Sequence, residues 1–211
     1  MATRATYQFK SQHSPVVTCY VHWDGYLEGA AAYFWDMISC GNERGGLACR
    51  FIRGVSLAEI TRSHDAHSDT EYRYDLDQSD MSVVAYKSFR DDDDGYSWGV
   101  VYSGSLVDFI NRFHPEGFRV YSVPTGTSKS YKRMVVVTLA HAIDLIWQYT
   151  DQYCKAISNG WIGNAHHVDG LAVMVAEAIG DTELRDSVAA RCAAALADYE
   201  EKQKQIPKIL N

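Results

Sequence analysis

Three stretches with strand character follow one another with no helix between them, and they constrain the fold of this chain more than any other feature. EYRYDLD (71–77), SVVAYKSF (82–89) and YSWGVVY (96–102) are rich in β-branched and aromatic residues and are separated by short polar turns. RDDDDG joins the last two as a hairpin turn, where aspartate tolerates turn geometry and Gly95 supplies positive φ. Parallel neighbours need crossovers of a dozen residues or more, so strands this close in sequence pair antiparallel and exclude regular βαβ alternation. The expected class is therefore α+β: an antiparallel sheet with segregated helices, followed by a helical C-terminal region of three helices.

The flanking segments fit that frame. ATYQF (5–9) and VVTCYVHW (16–23) read as a hairpin around Pro15. Leu27, Ala30, Ala31, Phe34 and Ile38 then fall on one face of a 3.6-residue period, predicting a helix from Leu27. Ser56 with Glu59 has capping-box spacing and predicts a short helix over SLAEITR; Ser105 with Asp108 predicts another over SLVDFINRF. FRVYSV (118–123) reads as a strand and PTGTSKS (124–130) as a linker. Beyond it, Leu139, Ile143, Ile146, Trp147, Thr150, Tyr153 and Ile157 mark a long amphipathic helix. Two more follow, over Val168–Ile179 and Leu184–Tyr199, and short connections make such helices pack antiparallel. The expected organisation is a sheet domain over 1–124 and a helical region over 131–211 packed on it.

Charge is concentrated rather than spread. Residues 63–95 hold ten acids against three bases, which accounts for the whole net charge of −7. No cluster of Lys and Arg is dense enough to displace counterions from a phosphate backbone, so direct nucleic-acid binding is not expected. Five cysteines without CxxC spacing, no leader-like N-terminus and no apolar run of membrane-spanning length point to a protein of the cytosol with reduced thiols.

Several places could carry chemistry. In HWDGYLEG, His22 could act as general acid or base oriented by Asp24, with Tyr26 near a substrate and Glu28 in the first helical turn. The structural reading of the same letters is a strand–turn–helix joint, with Asp24 capping the helix and Glu28 favoured by its dipole. SHDAHSD offers His64, His67 and Asp69 as metal-ligand types, but a polar surface loop explains the same letters, and no metal site is called. His166, His167 and Asp169 lie at a helix start. No GxSxG elbow, Walker loop or GxGxxG is present, and no cofactor is called for. Asp91, Asp92, Asp93 and Asp94 read as an exposed hairpin tip. With Asp75 and Asp77, on one side of the neighbouring strand, they could form an acidic patch that meets a basic partner.

TRATYQF followed by VVTCYVHWDGYLEGAAAYF resembles the N-terminal signature of small phage and prophage proteins, which open on a TRATY-type strand and carry an HxDGYPEGAA-type turn. The likeness covers roughly the first thirty-five residues, and Leu27 stands where that signature has proline. The resemblance implies a mobile-element origin and hence a counter-defence, anti-CRISPR-like or host-takeover role; it transfers no catalytic residue. Two functions are therefore expected. One is a non-enzymatic interaction protein that binds and blocks a host protein, using the acidic segment and its aromatics, with self-association through the C-terminal helices open. The other is a small-molecule or nucleotide binder, or a hydrolase, with its site at the His22–Glu28 turn.

Overall fold

The computed structural model describes residues 3–12, 15–40, 46–90, 96–128, 131–162, 165, 168 and 170–205, and the chain divides into two compact units, Met1–Val120 and Tyr121–Asn211. The first unit is built on a six-stranded sheet. Its strands are β1 (Ala5–Lys10), β2 (Val17–Val21), β3 (Glu59–Thr61), β4 (Tyr72–Asp77), β5 (Ser82–Arg90) and β6 (Tyr96–Ser105), in the spatial order β3-β2-β1-β4-β5-β6. Helices α1 (Leu27–Ser39), α2 (Leu47–Gly54) and α3 (Leu106–Phe113) lie between strands in the chain.

The sheet is mixed, which corrects the antiparallel expectation. β1 pairs β4 in parallel, Tyr7 opposite Tyr74, while every other described pairing is antiparallel. The long excursion through β2, α1, α2 and β3 supplies the crossover that a parallel neighbour needs. Nor are the helices segregated from the strands: α1, α2 and α3 lie among them along the chain. Residues 56–61 also depart from the sequence reading: instead of a capped helix they form a turn and the edge strand β3, with Ile60 opposite Cys19. Here pairing to β2 overrides a local capping signal.

One face of the sheet carries the core. Ala5, Tyr7 and Phe9 of β1, Tyr74 and Leu76 of β4, and Val83 and Ala85 of β5 alternate inward at 1% exposure or less, together with Phe34, Phe51 and Phe109 from the three helices. Tyr7 stacks on Tyr74 with centroids 4.9 Å apart and meets Phe34 edge-on at 5.7 Å. Aromatic pairs in these geometries contribute about 0.5–1.5 kcal/mol beyond their area. Ser105 starts α3 as the spacing predicts: its hydroxyl accepts from the Asp108 N–H at 3.0 Å and donates to the Asp108 carboxylate at 2.7 Å.

Two paired strands follow, β7 (Val120–Ser128), which starts at the last residue of the first unit, and β8 (Tyr131–Thr138). Residues 124–128 belong to β7, which corrects the linker reading of that part of PTGTSKS, and β8 adds a strand to a region expected to be helical alone; the β-branched run MVVVT suits a strand on intrinsic grounds. Helices α4 (Leu139–Ser158), α5 (Leu171–Ala178) and α6 (Thr182–Gln205) follow, and the Thr138 side chain caps α4 by accepting from the His141 N–H. Val123 and Val137 are buried with Ile146, Leu171, Val175 and Val188 in one apolar cluster.

Candidate functional site

The turn after β2 is shaped by two close approaches. Asp24 adopts a left-handed backbone, φ +52°, and Gly25 is pressed against β1: an added Cβ would lie 2.6 Å from the Ala5 Cβ. The Gly25 N–H donates to the Thr3 carbonyl, and its own carbonyl accepts from the buried Tyr74 hydroxyl at 2.8 Å. At Gly29 a Cβ would come 1.9 Å from the Asp24 carbonyl oxygen, so the turn folds back on the first turn of α1. The small residues of HWDGYLEGAAA thus serve close packing.

The proposed catalytic group does not assemble around this turn. Residue 26, not Asp24, occupies the N-cap position of α1, and no side chain caps it. The Asp24 charge raises the Tyr26 phenol pKa, helped by desolvation and by the hydrogen bond between the two side chains. His22 is exposed and makes ring contacts with Tyr20 at 5.4 Å and Trp23 at 6.1 Å, without a hydrogen bond to Asp24. Glu28 lies in the first turn of α1, as its charge favours. Trp23 and Tyr26 are 51% and 39% exposed, so the joint presents aromatic surface.

A second arrangement lies on the sheet face opposite the core. Thr6, Gln8 and Lys10 of β1 and Arg73, Asp75 and Asp77 of β4 alternate to that side. The segment from 62 to 70, with a 3-10 turn at His64–Ala66, is strapped across it. His64 Nδ1 is 2.7 Å from the Thr6 hydroxyl oxygen and His64 Nε2 is 2.9 Å from Asp75 Oδ1, while the Lys10 ammonium donates to Asp75 Oδ2 at 2.6 Å. Burial works against the Asp75 carboxylate, but the hydrogen bonds from His64 and Lys10 outweigh it and hold its pKa below the usual value. Hydroxyl, imidazole and carboxylate stand in the order of a nucleophilic triad. Thr6, however, is fully buried, and a nucleophile must reach its substrate. The arrangement pins the strap to the sheet.

The rest of the strap is held in the same manner. His67 stacks on Tyr20 at 3.8 Å and 7°, Asp69 pairs with Arg4 at 3.0 Å, and Asp65 pairs with Arg73 at 2.5 Å. His64, His67 and Asp69 therefore turn to three different partners, and no group of three metal-ligating residues forms among the described residues. Asp75 and Asp77 are also engaged: Asp77 accepts from the Ser79 N–H at 2.8 Å and from the Ser79 hydroxyl. Much of the acidity of 63–77 is balanced internally. Asp91 to Asp94, His166, His167 and Asp169 lie outside the described residues.

Sequence reasoning missed the uncovered end of the sheet. On the face away from the core, Tyr86 pairs with Val100 and Ser88 with Trp98, and the Arg73 guanidinium lies 3.9 Å from the Trp98 ring centroid. Tyr96 and Val100 are 69% and 59% exposed. The available signal was the run YSWGVVYSGS itself, ten residues without a charge. In the second unit, a cavity of about 250 Å³ lined by Tyr149, Tyr153, Gly170, Ala172 and Cys192 lies among α4, α5 and α6. No helix among the described residues is long and apolar enough to cross a membrane.

Comparison with protein-family models, curated proteins and solved structures finds no match to this chain.

Proposed function

We propose that this chain is a non-enzymatic interaction protein of phage or mobile-element origin, which binds a host protein and blocks it. The observation that carries this reading is the uncovered β5–β6 face, where Tyr96 and Val100 stand exposed beside Trp98 and Tyr86. Contiguous apolar surface of this kind, rimmed by polar groups, marks protein contact sites. Aromatic residues and arginine are the types that dominate binding energy at such sites, and Arg73 over Trp98 supplies both. The N-terminal likeness to phage and prophage proteins directs the reading to a host target in the cytosol.

The test is retention of host proteins by immobilised chain, compared with a Tyr96→Ser/Val100→Ser variant. A protein held by the parent chain and lost by the variant, then reproduced by titration with the purified partner, supports the reading. Equal retention by both chains refutes this surface. Neutralising Asp91 to Asp94 is expected to slow association in a salt-dependent way if their charge steers the partner.

A further inference from the structure

The two edges of the six-stranded sheet differ in a way that bears on self-association. An edge strand offers a row of unpaired N–H and C=O groups, and natural proteins blunt it with shortness, charge, proline or a bulge. β3, at one edge, is three residues long and carries Glu59. β6, at the other, is ten residues long, and from Tyr96 to Ser105 it contains neither a charge nor a proline. Its irregularity falls at Val101, between the pairs Tyr86–Val100 and Ala85–Tyr102, so Tyr96–Val100 is a regular run. Both ends of that run are open, with Tyr96 69% and Val100 59% exposed.

We propose that β6 docks a second copy of this chain, strand to strand and antiparallel, about a two-fold axis at Trp98. In that register Tyr96 of each copy faces Val100 of the other, and Trp98 faces its own counterpart. All three residues alternate to the uncovered side, so the aromatic–β-branched pairs that stabilise antiparallel sheets form twice. On the core side, Ser97 faces Gly99, and Phe89 already lies across Gly99, where a Cβ would come 2.7 Å from its ring. A second copy suits the edge because aromatic Tyr96 and β-branched Val100 exchange places across the axis, and the run from 96 to 100 has no charge to repel its copy. The axis stands perpendicular to the sheet, so two sheets join into one with their uncovered faces continuous. Five residue pairs span about 17 Å, which places the contact at the weak, concentration-dependent end of interfaces. The proposal does not rest on the host-binding reading, and a monomeric result would leave that reading standing.

Sedimentation velocity on the full chain, from roughly 5 to 500 µM as suits an interface this small, tests it. The expected result is a monomer that becomes a dimer as concentration rises. Val100→Lys, at an exposed position, weakens association at least tenfold with an unchanged circular dichroism spectrum. Trp98→Lys and Trp98→Glu are each monomeric, and their equimolar mixture recovers the dimer, because only this register sets position 98 against itself. A chain that stays monomeric throughout overturns the proposal, as does a dimer indifferent to Val100→Lys. Failure of two folded Trp98 variants to recover association on mixing also overturns it; if they do not fold, Val100→Lys decides.

Discussion

Two stacked tyrosines in the core respond in opposite directions to the loss of one oxygen atom. Tyr7 and Tyr74 lie with rings 4.9 Å apart and 11° from parallel, and both are at most 1% exposed. The Tyr74 hydroxyl donates to the Gly25 carbonyl at 2.8 Å, whereas the Tyr7 hydroxyl has no hydrogen-bond partner among the described residues. Burial, followed by the nearby Tyr33 and Asp24, pushes the Tyr7 phenol well above its ordinary pKa, so it stays neutral. Leaving a buried hydroxyl unpaired costs about 1–3 kcal/mol, and phenylalanine removes that cost while keeping the ring. The small void left behind takes back part of the gain, so Tyr7→Phe is expected to stabilise the first unit by about 1 kcal/mol. Tyr74→Phe breaks a satisfied buried pair and leaves the Gly25 carbonyl without this donor, a loss of about 1–3 kcal/mol. Amide hydrogen exchange along β1 and β4 reads the stability of this unit directly, whatever the second unit does. Slower exchange in Tyr7→Phe and faster exchange in Tyr74→Phe are expected. A loss in both variants, or a destabilisation above about 1 kcal/mol in Tyr7→Phe, would show that its hydroxyl is bonded and refute the reasoning.

Other perturbations probe the turn, the strap and the α1–α3 contact. Gly29→Ala drives a Cβ into the Asp24 carbonyl, a backbone atom that cannot rotate away, and is expected to cost about 3 kcal/mol or more in urea unfolding. Asp75→Asn removes the acceptor charge shared by Lys10 and His64 and costs about 1–3 kcal/mol at neutral pH. Since the folded Asp75 pKa is depressed, its contribution is present above the unfolded carboxylate value of about 3.9 and is lost as pH falls through the lower folded value. An acid titration of the variant should therefore show a shallower loss across that window, and an unchanged slope would contradict the pairing. Burial lowers the His114 pKa despite Glu116 and Asp36, and its Nδ1 accepts from the Glu116 N–H. The unfolded chain then takes up the proton first, so stability falls as pH drops below about 6.5. His114→Phe keeps the ring beside Trp35 and Phe118 and should flatten the stability profile between about pH 7 and 5.

The strands β1, β2, β4, β5 and β6 and the helices α1 and α4 were legible because each is written in its own letters. Alternating β-branched and aromatic residues, or apolar residues at helical spacing, act over a few neighbours and need no distant partner. The Ser105–Asp108 cap belongs to the same class, since both partners sit within one turn. Ser56 and Glu59 carried an equally good local signal that lost to pairing between β3 and β2. PTGTS had the letters of a linker and became part of β7 once β8 lay beside it. Helix α2 escaped notice because, unlike the equally short α3, no side chain caps its start, and its Phe51 is buried against Tyr7 and Phe9 of the distant β1.

The sequence alone determined the α+β class, the order of most elements, the clustering of charge before residue 95 and the small residues needed at the turn from 22 to 29. Tertiary structure alone decided that β4 lies parallel to β1 and that His64 is bound between Thr6, 58 residues away, and Asp75. It also decided which edge of the sheet is left long, uncharged and open. The physical reason is range. Backbone preference and amphipathic period are set by neighbours in the chain, whereas the aromatic core is filled only when Tyr7, Phe34, Phe51, Tyr74 and Phe109 meet. Which strands become neighbours, and which faces remain uncovered, follow from that meeting.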